Sequence, residues 1–379
     1  MIIYIAVLLL IVCVPPLLRK IPWKTERQER LAISLLCFFP IFLLFALKNI
    51  SVGTDSKTYY SFFEATKTTN WSTLFLTKKE IAVYGLMKIF TSLNLSYYVF
   101  QFCFYLFVIT PFVLIASKYC EYPELFALAF YTFGPFSFDM SALRQAGAVS
   151  VVCFGIYFLL NSKKYSWLVF EFFVLFGCLF HQTAIFAAFL PLLLKVRIKD
   201  RYFFFVFGGY AFFLLAFPYA YELSFSLFSK QYPGLSIPWT PWYSLAMFGA
   251  TFLLAFSDPR SKRAEAVFSK ISPSSAMERW VWPSYQDDSI SGPLFESSLP
   301  VLLLISFLTG TSTISYVIMR LANYFLLFLG LSLSSYVSLV RTTKARLLLR
   351  IVFSGILVLY FVYAFLYEKP LSEIPYEFL

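Results

Sequence analysis

Apolar stretches close to the length of a bilayer crossing recur along the whole chain, separated by short polar or basic breaks. A spanning helix needs about 20 predominantly apolar residues. This rhythm predicts spans over residues 1–18, 31–47, 98–116, 124–138, 145–160, 165–180, 182–194, 202–219, 241–256, 298–313, 321–340 and 351–367. The ten-residue alternating segments of an outer-membrane barrel are absent, so the spans are expected to be helices. The predicted fold is an all-α polytopic integral membrane protein of about 12 helices, in one transmembrane domain over residues 1–379.

Two stretches break the rhythm. Residues 48–95 hold Gly53-Thr54-Asp55, an amphipathic run over 59–65, and a segment over 80–93. In that last segment Val83, Leu86, Met87, Phe90 and Leu93 recur at three- and four-residue spacing. It is too short to cross upright and is expected to lie along the outer interface as a helix. Residues 257–297 form the longest predicted cytoplasmic loop, with Arg279-Trp280-Val281-Trp282 and Asp287-Asp288, and read as a solvated connector.

Charge sets the expected orientation. Arg19 to Arg30 holds five basic residues, Lys163 and Lys164 a pair, Lys195 to Arg201 four, Arg260 to Arg279 five and Arg341 to Arg350 four. With Lys118 these account for 21 of the 31 basic residues, and by the positive-inside rule their loops are cytoplasmic. Most of the +11 net charge thus reports topology, and no nucleic-acid partner is implied. Both termini then face outward. Residues 1–18 lack a basic leading region and a small-residue cleavage site, so they are expected to remain as an anchor.

Composition agrees: 60% of residues are hydrophobic and 13% charged, far from the balance of a soluble domain. The 48 phenylalanines and 26 tyrosines suit lipid-facing surfaces and interfacial belts. Six cysteines, at 13, 37, 103, 120, 153 and 178, fall in or near spans with no metal-ligand spacing. Neither disulfides, zinc nor any other metal is expected.

In this topology Arg144 stands at the outer entrance of the fifth span and His181 at the outer exit of the sixth. The tight connection through Asn161–Lys164 is expected to bring the two together. Arg320 opens the eleventh span from the same side, with Asn323 and Tyr324 at the spacing that shares a helix face. Asp55, Lys57 and Glu80 belong to the outer segment above. Ionisable groups at membrane depth are costly and favour a cavity or a partner. Arg144 and Arg320 lie where the positive-inside rule disfavours them, although a span-end arginine also snorkels to lipid phosphates. His181 is the only histidine and suits proton exchange near neutral pH, or a structural cap. Asp55 equally suits a turn or an N-cap.

Several of these pieces together resemble a known family. They are Val52-Gly53-Thr54-Asp55 with Tyr59-Tyr60, Glu80 opening an outer helix, Ser141-Ala142-Leu143-Arg144-Gln145-Ala146, Phe180-His181-Gln182-Thr183-Ala184-Ile185, and Arg320-Leu321-Ala322-Asn323-Tyr324-Phe325. Their order and side of the membrane resemble the EpsG-type members of the Wzy polysaccharide polymerases, over roughly residues 48–340. The family's Glu-Pro-Gly-Tyr-like run is only partly present, as Glu80-Ile81-Ala82-Val83-Tyr84.

The resemblance implies a fold similar to GT-C-like membrane glycosyltransferases, and a polymerase of O-antigen, capsule or exopolysaccharide in the bacterial cytoplasmic membrane, with its site facing outward. The implied reaction moves a growing glycan from undecaprenyl diphosphate to the terminal sugar of a second lipid-linked repeat unit. The implied partners are those lipid-linked oligosaccharides, the bilayer and a Wzz-like chain-length regulator, and no cofactor is expected. Within it Arg144 and Arg320 would hold the diphosphate, and His181 or Asp55 would serve as base. Gly53, Thr54, Lys57, Tyr59, Glu80, Gln145, Asn323 and Tyr324 would line the substrate. Rival readings are a membrane O-acyltransferase, an O-antigen ligase and a flippase for the lipid-linked unit. The first is weakened because its pattern carries a histidine in the early spans.

Overall fold

The computed structural model describes residues 2–77, 80–133, 135–161, 164–196, 208–209, 212, 249, 251, 291–311, 320–340, 343–363 and 376. Among the described residues the regular elements are helices and no β-strand occurs. The expected spans 202–219 and 241–256, and most of the expected loop 257–297, lie outside them.

Ile2–Cys13 (α1) and Pro15–Leu18 (α2) lead to Glu26–Ala46 (α3). The Thr25 hydroxyl accepts the Gln28 N–H at 3.2 Å, and Glu26 and Glu29 stand in the first turn, so helix α3 starts earlier than its apolar run. Ser56–Thr66 (α4), Trp71–Thr77 (α5) and Ile81–Ser92 (α6) follow, then the long Tyr97–Tyr119 (α7), capped by Ser96. Residues 124–138 do not form one span. They divide into Pro123–Thr132 (α8) and Pro135–Ser141 (α9), because Pro135 has no N–H to continue the earlier helix.

Leu143–Leu159 (α10) and Ser166–Cys178 (α11) pack as an antiparallel hairpin. Residues 182–194 are not one α-helix: Gln182–Phe189 winds as a tighter 3-10 helix before Leu190–Leu193 (α12). Ser291–Thr311 (α13) makes the end of the expected cytoplasmic loop helical. The span expected over 321–340 turns at Asn323 to Leu326 before Leu327–Leu339 (α14), and Thr343–Tyr363 (α15) follows.

By length and composition, α3, α7 and the Arg346–Tyr363 part of α15 can cross a membrane. Shorter apolar helices of 10–17 residues accompany them. In lipid no hydrophobic force drives helix against helix, so the association rests on close packing. Helix α3 lies on α7, α7 on α10, and α14 on both α8 and α13. Gly330 permits the α8–α14 approach, since a Cβ there would stand 2.8 Å from the Phe126 Cα.

The chain alternates direction through α3, α7, α8 and α10, which gives the bundle two distinct ends. One end gathers ion pairs: Arg19 to Glu29 at 3.1 Å, Arg19 and Arg350 to Glu124 at 2.9 and 2.7 Å, and Arg346 to Glu121 at 3.1 Å. Tyr122 carries both the Arg19 and the Arg350 guanidinium 4.9 Å from its ring centre. This is the end with the expected cytoplasmic basic loops. The candidate residues occupy the other.

Candidate active site

The loop after α3 is fastened from below. The Lys48 ammonium, almost fully buried, donates to the Ser56 hydroxyl at 3.0 Å and to the Met140 carbonyl of α9. The Ser56 hydroxyl in turn donates to the Val52 carbonyl at 2.6 Å. Gly53 takes a left-handed φ of 94°, and a Cβ would stand 2.8 Å from both the Met140 carbonyl oxygen and the Ser56 hydroxyl. Glycine is needed there for both reasons. The Thr54 N–H reaches the Ser141 hydroxyl at 3.3 Å.

Glu80 precedes α6 and is the centre of the arrangement. The Ala82 N–H donates to the Leu179 carbonyl at 3.0 Å, which ties the start of α6 to the end of α11. This sets the Glu80 carboxylate between two side chains far away in sequence. Its Oε2 accepts from Arg144 Nη1 at 2.6 Å, and its Oε1 stands 2.5 Å from His181 Nδ1. The Gln182 N–H adds a third contact, at 3.3 Å to Oε1. Burial alone would raise the Glu80 pKa, but the His181 hydrogen bond, the positive charges and the Gln182 N–H hold it below the ordinary value. The carboxylate is ionised at neutral pH.

Arg144 is the second residue of α10, just past the α9–α10 corner. Its main-chain N–H and its Nε both point at the Tyr59 hydroxyl, at 3.5 Å. Burial would lower the arginine pKa, but the Tyr59 hydroxyl and the Glu80 carboxylate outweigh it and hold it above the ordinary value. Burial pushes the Tyr59 phenol up despite Arg144, so it stays uncharged at neutral pH. Among the described residues none hydrogen-bonds Arg144 Nη2, and the side chain is 37% exposed. That edge of the guanidinium is open to an anion.

Beside this group, the Gln145 side-chain N–H donates to the Arg320 carbonyl at 2.5 Å, which brings the main chain of Arg320 next to Arg144. The Tyr324 and Thr183 hydroxyls are 3.0 Å apart. The buried Asn323 amide and the Gln145 side-chain carbonyl have no hydrogen-bond partner among the described residues. Asn323 and Tyr324 sit in a turn, so the expected shared helix face with Arg320 does not form. Asp55 holds the N-cap position of α4 without a side-chain capping bond, and its charge faces Tyr59. Lys57 is exposed on α4.

The predicted proximity of Arg144 and His181 is present, with Glu80 as the link. Glu80, expected among the substrate contacts of the outer segment, joins the two. Sequence reasoning gave no role to Lys48, and quoted Ser141 and Thr183 only within the family-like stretches. Lys48, between an apolar run and Gly53-Thr54-Asp55, was the one with a readable signal. No group of three or more histidine, cysteine or acidic side chains suited to a metal occurs among the described residues.

A family model described as the EpsG family matches residues 31–234, more than half of the 379-residue chain. The matched stretch contains Gly53, Glu80, Arg144 and His181 and ends before Arg320. No curated protein and no solved structure matches the chain.

Proposed function

The chain belongs to the EpsG family, a family of polysaccharide polymerase-type membrane proteins, and we propose that it transfers a growing glycan from undecaprenyl diphosphate to the terminal sugar of a second lipid-linked repeat unit. The site faces the exterior side of the bacterial cytoplasmic membrane, opposite the basic loops. The observation that carries this reading is the single Glu80 carboxylate holding Arg144 and His181 together at one end of an apolar bundle. An open arginine edge beside a histidine, at the depth of lipid headgroups, suits a diphosphate and a sugar hydroxyl.

In the reaction the acceptor hydroxyl oxygen bonds to the anomeric carbon as the bond from that carbon to the diphosphate oxygen breaks. The bonding pair leaves on the diphosphate, and the hydroxyl proton passes to His181. Arg144, with Arg320, offsets the charge gathering on the leaving oxygens through charge-assisted hydrogen bonds. Tyr59 supports Arg144 from beneath. Asp55, Lys57, Gln145, Asn323 and Tyr324 complete the polar lining, and a Wzz-like regulator would set product length.

The test is incubation of the purified protein in nanodiscs with its lipid diphosphate-linked repeat unit, beside Arg144→Ala and His181→Ala. A ladder of joined repeat units, lost in both variants, is the expected result. A repeat unit left unchanged, when another polymerase consumes it, would remove this reading in favour of acyl transfer or transport.

A further inference from the structure

The charged group at the site contains an atom that nothing around it uses. His181 Nδ1 faces the Glu80 carboxylate at 2.5 Å, while His181 Nε2 is buried and has no hydrogen-bond partner among the described residues. An ionised carboxylate can only accept, so a neutral imidazole in this pairing must carry its proton on Nδ1. The Nε2 lone pair is then the proton acceptor. A buried polar atom without a partner is destabilising, which favours a site that keeps Nε2 for a ligand hydroxyl.

We propose that Glu80 is a positioning residue that fixes the Nδ1–H tautomer of His181, so that Nε2 takes the proton of the acceptor sugar hydroxyl. This rests on the reading of His181 as the base. Two further contacts make the arrangement directional. Arg144 holds Oε2 at 2.6 Å and the Gln182 N–H approaches Oε1 at 3.3 Å, so the carboxylate cannot swing away from the imidazole. When His181 accepts the hydroxyl proton, the imidazolium lies against the Glu80 anion, which stabilises the charge formed in the step. Glu80 itself neither gains nor loses a proton.

The group also predicts what an isosteric change does. In Glu80→Gln the amide has one accepting and one donating end. Arg144 only donates and is charged, so it draws the amide oxygen more strongly than the long Gln182 N–H contact does. The amide NH2 is left facing His181 Nδ1, which must then accept, and the proton moves to Nε2. The variant keeps its volume and its bonds to Arg144 and His181, gives up the long Gln182 N–H contact, and presents a donor where the wild type presents a base.

The chain has one histidine, so a protein labelled with 15N-histidine gives an unambiguous imidazole spectrum. The protein in detergent micelles, without substrate, is examined at a pH where the ring is neutral, for the wild type, Glu80→Gln and Glu80→Ala. The expected result is a protonated Nδ1 in the wild type and a protonated Nε2 in Glu80→Gln, with thermal unfolding of that variant close to wild type. Glu80→Ala should show the same shift and provides a second reading if one variant fails to fold. A wild-type ring protonated on Nε2, or variants that keep the proton on Nδ1, would overturn the proposal. Because no glycan is present, that outcome is separable from failure of the polymerase reading, which the ladder assay alone decides.

Discussion

Arg144→Lys separates two roles that Arg144→Ala would merge. If Arg144 serves only to neutralise Glu80, a lysine ammonium can take the place of the 2.6 Å contact and activity should survive. If the open Nη2 edge grips a diphosphate, lysine cannot hold Glu80 with one nitrogen and the ligand with another in the same plane. The variant then loses one hydrogen bond to a charged group, worth about 1.5–3 kcal/mol, or about 10- to 150-fold in kcat/KM. The 37% exposure of the side chain lets solvent screen the interaction, which places the expectation at the lower end. The assay is initial-rate formation of joined repeat units in nanodiscs, with kcat and KM determined separately and thermal unfolding as the control for folding. A loss mainly in kcat assigns the contact to the transition state, and a loss only in KM assigns it to ground-state binding. Arg144→Lys within twofold of wild type, with Arg144→Ala inactive, would refute the phosphate-gripping role and leave the arginine as a counter-ion.

Two further outcomes follow from the charges. Glu124 is 7% exposed and holds both Arg19 and Arg350, so Glu124→Gln should cost about 3 kcal/mol, the low end for breaking a buried pair. Thermal unfolding in detergent measures it, and the exposed Glu64–Lys67 pair gives the contrast, with Glu64→Gln expected to stay within about 0.5 kcal/mol. The second outcome concerns pH: the Glu80 carboxyl is held below its ordinary value of 4.5, so the folded state favours the ionised form. That stabilisation is complete above the unfolded value and is lost as pH falls through the lowered folded value. Wild-type unfolding temperature should therefore drop below about pH 4.5 more steeply than that of Glu80→Gln, and parallel curves would contradict the lowered pKa.

Helices α3, α7, α10 and α11 were legible because an apolar run of the right length leaves few alternatives, and the boundaries moved only where caps add polar turns. Thr25 extends α3 outward in this way, at no cost to the hydropathy pattern. The breaks were harder. Pro135 stands in an apolar stretch, so hydropathy continues across a corner that the missing N–H enforces. The 3-10 winding of Gln182–Phe189 uses the same residue types as an α-helix, and the turn at Asn323 to Leu326 interrupts a run of similar composition. The convergence of Arg144 and His181 followed from a short hairpin, which is local information. Glu80 as their link did not, since it stands 64 residues from one and 101 from the other. It gets there through the docking of α6 on the end of α11, a long-range contact that periodicity does not encode.

The balance of charge explains why such a site can exist where it does. Arg144 and Glu80 cancel as an ion pair, so the resting pair is tolerable at the edge of an apolar bundle. A diphosphate changes this, because an arginine already paired with a carboxylate cannot offset two phosphates by itself. A second cation is required, and it must stand near the first. The Gln145 bond to the Arg320 carbonyl brings the main chain of Arg320 to the residue beside Arg144, from a segment beyond the family match at 31–234. The proposed site is thus completed by the C-terminal third of the chain. In that reading, anion binding needs the segment at Arg320 held against the start of α10, as the Gln145 bond holds it.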